Sequence, residues 1–282
     1  MKRIFSLLMV LMLLFGHALA EETPLTQKEY FAAQESASYM VDVPGKGFMR
    51  YYAQNDPMYA TVKYENRRQN NRRKFATGGC VPTSLAMALA NLVPMERLIE
   101  LDQESYKGRG YTFCVCSCGP YHCNGKHEQY KLTTAEEFYR YLPMVTGAYA
   151  CGNGPKAIIY RRNHGGTSTS IFKIFSDIFG LGFKSKLTHE EALAAIDEGG
   201  ICIVSTGGRK TPFAKGGHYM ILASYDEEYL YILDPVIKES YKETDKDGYL
   251  EILSPGLVKA RRSDLKKLCL TTYTVLFPTA AE

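Results

Sequence analysis

The chain is short of several things that would direct it toward other jobs. Past its first twenty residues it has no apolar run approaching the roughly 20 residues a membrane helix needs. It has no strong excess of one charge. The formal +4 falls to +2 once Lys2 and Arg3 are set aside, so no general case exists for a nucleic-acid partner. The basic cluster NRRQNNRRK (Asn66 to Lys74) reads as a solvated loop. No cysteine occurs before Cys80, so the start of the chain offers no thiol for a lipid anchor.

What the chain does have at its start is Lys2 and Arg3, an apolar run from Ile4 to Phe15, and Ala18-Leu19-Ala20. That order is the pattern of a secretory signal peptide over residues 1–20, and it implies an extracytoplasmic protein, periplasmic or secreted, without stable membrane insertion. Residues 21–45 are polar and weakly patterned, as in a flexible lead-in or short pro-segment. The remainder, 46–282, suits one domain, with an insertion at about 102–166.

The most informative string is GGCVPTSLAMALANLVP. Gly78 and Gly79 permit a tight approach, Pro82 suits a first helical turn, and the following apolar helix ends before Pro94. A helix apolar nearly all round belongs at the centre of a fold. Further helices are marked by Thr134 with Glu137, by the spacing of STSIFKIFSDIFG, and by Thr188 with Glu191. From residue 201 onward ICIVST, HYMILASY, YLYILDP and TTYTVLFP read as strands. Helices first and antiparallel strands afterwards predict an α+β fold with a helix packed on a sheet.

Cys80 opens the central helix, where unpaired backbone N–H groups and the helix dipole favour a thiolate. In KGGHYMILASYDEEYLYILDP two strand-like runs flank a turn near Asp226. This puts His218 opposite Asp234 or one residue away, within reach for a carboxylate to orient an imidazole. His164 is the one rival base. His122 and His127 belong to the cysteine-rich stretch, and His189 starts a helix. In FCVCSCGPYHCNGKHE, Cys114, Cys116, Cys118 and Cys123 suit disulfides in an exported chain. A zinc site formed by them, or with His122, is the alternative. Cys151 and Cys269 are possible outside partners, and Cys202 in ICIVST is expected to be a buried free thiol.

YYAQNDPMYA, GGCVPTSLAMAL, GGHYMILASY and YILDP, in that order, resemble the successive motifs of the C39-like peptidase family. The resemblance covers about residues 48 to 92 and 186 to 236 and implies a papain-like fold. It maps the family's glutamine, cysteine, histidine and aspartate onto Gln54, Cys80, His218 and Asp234, with Gln54 in the oxyanion hole. It implies a cofactor-free cysteine peptidase or amidase working on a peptide or protein through a thioester. Two other functions stay open on the sequence: an acyltransferase of the same fold, in which an amine resolves the thioester, and a non-catalytic binding module using the cysteine-rich segment.

Overall fold

A computed structural model describes residues 36–62, 64, 74–101, 111–113, 130–150, 166–207 and 210–278. The first element is a hairpin, β1 (Tyr39–Val43) paired with β2 (Gly47–Tyr51), turned by Gly45 and Gly47 in the left-handed region (φ 73° and 83°). Val41 and Val43 are buried, so β1 packs as core within the stretch 21–45 that reads as a lead-in. Five residues of YMVDV are too short an alternation to stand out from their polar surroundings.

The helical layer follows. After α1 (Phe75–Gly78) comes α2 (Cys80–Leu92), buried at every position from Val81 to Leu89, as its all-round apolar sequence requires. It stops at Val93, which is extended because Pro94 follows. β3 (Tyr111–Phe113) and β4 (Tyr130–Leu132) form a small antiparallel pair. α3 (Ala135–Arg140) begins with the expected capping box of Thr134 and Glu137, and α4 (Leu142–Ala150) is wholly buried. The Thr146 hydroxyl in α4 donates to the carbonyl of Pro82 in α2 at 2.9 Å, so part of the stretch 102–166 is integral to the core. α5 (Ser170–Phe179) ends at Gly180 in the left-handed conformation that such a stop favours.

The remaining chain builds a seven-stranded antiparallel sheet: β5 (Gly182–Leu187), β6 (Ile201–Thr206), β7 (His218–Tyr225), β8 (Tyr229–Leu233), β9 (Leu250–Ser254), β10 (Leu257–Arg261) and β11 (Leu270–Phe277), in the order β5-β11-β6-β7-β8-β10-β9. The mixed α+β class expected from the sequence is the one found, and the sheet is covered on both faces. Ile203, Ile221 and Leu233 face a core shared with α2, α4 and α5. Cys202, Leu222 and Ile232 face a second core under α6 (His189–Asp197), the helix capped by Thr188 and Glu191. Burial on both faces is why ICIVST and HYMILASY read as near-continuous apolar runs rather than strict alternations. Among the described residues, no helix is long and apolar enough to cross a membrane.

Candidate active site

Cys80 is the first residue of α2 and is half-buried. Gly79 makes the approach possible: a Cβ there would lie 2.7 Å from the Phe75 ring and from its carbonyl oxygen. Burial works against ionisation of Cys80. It is outweighed by the hydrogen bond and charge of His218 and by the backbone N–H groups of Tyr219 and Val81, so the thiol sits below its ordinary range.

His218 opens β7, with its N–H bonded to Thr206 Oγ1 at 3.1 Å, and its ring is buried. Nε2 meets Asp234 Oδ1 at 2.6 Å, which leaves Nδ1 for the Cys80 thiol. Desolvation pulls the imidazole down. The charge and hydrogen bond of Asp234, then those of Cys80, overcome it and push the imidazole up to about 10. Opposite shifts on thiol and imidazole favour a thiolate facing an imidazolium at neutral pH.

The strand register that joins His218 to Asp234 depends on one extra residue. Near the turn, Tyr225 pairs with Leu230 and Ser224 with Tyr231, but beyond Ala223 the pairs become Leu222 with Ile232 and Ile221 with Leu233. Continuing the first register would set Asp234 opposite Ile221, three places from His218 and on the other face. The bulge at Ala223 sets it opposite Met220, so His218 and Asp234 become diagonal neighbours on one face. The sequence expectation, His218 opposite Asp234 or one residue away, therefore fell one place short of the two-residue offset found, because a bulge is invisible in the hydrophobic pattern.

Asp234 is fully buried and accepts from four donors. Oδ1 takes His218 Nε2 and the Val236 N–H (2.8 Å), and Oδ2 takes the Tyr241 hydroxyl (2.6 Å) and Lys238 Nζ (3.2 Å). Burial alone would raise its pKa. His218, Lys238 and Tyr241 together hold it at about 2. Its backbone is fixed as well, since the Tyr51 hydroxyl donates to its carbonyl at 2.7 Å and its N–H donates to Gly256. Gly256 is at φ 79°, and a Cβ there would lie 2.2 Å from the Tyr51 ring, so only glycine lets Tyr51 reach this spot.

Gln54 is buried beside them. Its Nε2 donates to the Ala76 carbonyl and its backbone N–H to Pro235, both at 2.6 Å, while Oε1 has no partner among the described residues. The neighbouring Asn55 clamps Ile237 through both ends of its side-chain amide, each at 3.0 Å, so the Gln54 and Asp234 segments are tied together. Gln54, Cys80 and His218 line one open cleft of about 970 Å³ between residues 166–169 and 213–217, and Asp234 stands behind His218.

The four residues picked from the sequence are thus brought together. His164, His122 and His127 lie outside the described residues, as do Cys114, Cys116, Cys118, Cys123 and Cys151. His189 pairs with the Tyr273 hydroxyl at 3.1 Å, on a different helix from the site. Cys202 and Cys269 are free thiols, and burial pushes the Cys202 thiol well up. Among the described residues no group of three or more His, Cys, Asp or Glu could hold a metal. Sequence reasoning missed Thr206, Tyr51, Lys238 and Tyr241. Tyr51 stands at the head of YYAQNDPMYA and Lys238 and Tyr241 follow Asp234 by four and seven residues, but nothing in those strings marks their side chains as turned onto the site.

No curated protein matches the chain. The family model described as the Peptidase_C39 like family matches residues 51–252, a span that begins at Tyr51 beneath Asp234 and takes in Gln54, Cys80, His218 and Asp234. The match covers more than half of the chain, which therefore belongs to the C39-like peptidase family.

Proposed function

We propose that the protein is a cysteine peptidase or amidase with a papain-like site that hydrolyses a peptide-type bond by way of a thioester. The observation that carries this reading is the union of a helix-start thiol and a buried His218–Asp234 pair on one cleft, with the thiol shifted down and the imidazole up. The Cys80 thiolate attacks the carbonyl carbon, and the oxyanion takes hydrogen bonds from the Cys80 N–H and the Gln54 amide. One Gln54 N–H is held on Ala76, which fixes the amide and leaves the second for the oxyanion. The tetrahedral intermediate collapses as the C–N bond breaks and His218 passes its proton to the leaving amine. Water then adds to the thioester carbonyl while His218 takes its proton. The C–S bond breaks, releasing the acid and restoring the thiolate–imidazolium pair. Asp234 keeps the imidazole oriented throughout.

The cleft is open to solvent and bordered by Gly166, Gly216 and Gly217, which leave room for the backbone of a peptide or protein substrate. The opening residues 1–20 support export to the periplasm or medium, and in that oxidising setting Cys114, Cys116, Cys118 and Cys123 suit disulfides.

Gln54→Ala separates catalysis from simple thiol reactivity. Alkylation of Cys80 by a small reagent uses no oxyanion and should proceed at the wild-type rate. Peptide hydrolysis should fall on the order of 10² to 10³ in kcat. Mass spectrometry of the products, with and without an added amine, reads the same reaction: free acids mark a hydrolase and amides an acyltransferase. Wild-type hydrolysis by Gln54→Ala would remove this side chain from the mechanism.

A further inference from the structure

Four hydrogen-bond donors converge on the Asp234 carboxylate from separate places in the chain: His218 Nε2 from β7, the Val236 N–H from the turn after β8, and Lys238 and Tyr241 from the segment beyond. Only an acceptor-only group satisfies all four. The outer pair forms a unit of its own. Lys238 Nζ lies 4.4 Å from the centre of the Tyr241 ring and donates to the Phe213 carbonyl, and the Tyr241 ring meets Phe213 edge-on at 6.3 Å. Thr244 donates to the Pro212 carbonyl at 2.6 Å, so residues 238–244 are fastened to the loop that leads through Gly216 and Gly217 into His218. The Tyr241 hydroxyl is buried and spends its proton on Asp234.

We propose that Tyr241 and Lys238 are positioning residues for the reaction: by occupying Oδ2 they fix the rotation of the Asp234 carboxylate so that Oδ1 faces His218. The proposal rests on the cysteine-peptidase reading of the site and adds to it the two side chains through which the 238–244 segment acts on the base. Neither touches the reacting atoms. Both also brace the loop before His218 through Phe213, and Lys238 lines the cleft, so a kcat effect that vanishes once Asp234 is replaced is what separates action through Asp234 from a merely structural role.

A double-mutant cycle on the full-length protein tests this. Tyr241→Phe should lower kcat roughly tenfold at unchanged KM, the size of one hydrogen bond to a charged group. In an Asp234→Asn background the same change should cost nothing further or restore activity, because an amide there can satisfy a smaller set of donors. Lys238→Met repeats the cycle from a side chain that is partly exposed and whose loss spares the core, and Lys238→Arg should recover part of the kcat lost in Lys238→Met. Losses that multiply in both cycles, or a KM effect in place of a kcat effect, would overturn the positioning role while leaving the peptidase reading intact. A wild-type protein with an unreactive Cys80 and no hydrolysis would overturn both. If Tyr241→Phe does not fold, the Lys238 cycle decides.

Discussion

Cys80→Ala should abolish peptide hydrolysis while leaving the fold in place. Cys80 is the proposed nucleophile, and when a nucleophile works as a unit with its base, its removal costs on the order of 10⁶ in kcat. The substitution is gentle structurally, because Ala is the best helix former and position 80 is the half-buried first residue of α2. Product release measured by mass spectrometry, alongside thermal unfolding of the same preparation, checks both halves. Hydrolysis within tenfold of wild type would place the nucleophile elsewhere.

Asp234→Asn should be the next most damaging change, with a loss on the order of 10⁴ in kcat. The reason is specific to this site. With its amide oxygen toward His218 and Val236, the asparagine would present N–H groups to the Lys238 ammonium. Turned over, it would present them to His218 and Val236, which are also donors. No rotamer accommodates the donors, and the charge that does most to raise the imidazole is gone. The pKa of His218 should therefore fall from about 10 toward the ordinary histidine value, so the alkaline limb of the kcat/KM profile moves to lower pH. The acid limb should move up, since a less cationic His218 lowers the thiol less. A rate and profile matching wild type would remove Asp234 from the mechanism.

The two ends of the site differ in how legible they are in the sequence. Cys80 could be found because a glycine pair, a thiol and an apolar helix are contiguous, and HYMILASY and YLYILDP could be found because central strands carry the strongest apolar signal. The ends of β7 and β8 then put His218 and Asp234 at the same end of the sheet. The bulge at Ala223, which brings the two side chains to one face, leaves no trace in periodicity. β5, β9 and β10 were also missed. GFKSKL, LEILS and LVKAR lie at or next to the sheet edges, where one face or the outer flank meets water and polar residues interrupt the alternation. α4 went unseen because Pro143 and Gly147 disguise it. Gly147 is there because the Phe75 ring packs where its side chain would be. Tyr241 and Lys238 sit in KESYKETDKDGY, a string that reads as an exposed loop, although its two side chains turn inward onto Asp234, seven and four residues back, and onto the distant Phe213.

Every step of the proposed reaction depends on Cys80 being an activated thiolate paired with His218. Site-resolved alkylation followed by mass spectrometry, from about pH 4 to pH 10, tests that pairing directly, because an unperturbed cysteine ionises near about 8.5. Cys80 should be modified with a midpoint below that value, ahead of Cys202 and Cys269, and His218→Ala should move the midpoint upward. A Cys80 midpoint at or above the ordinary value, unchanged in His218→Ala, would contradict the pairing.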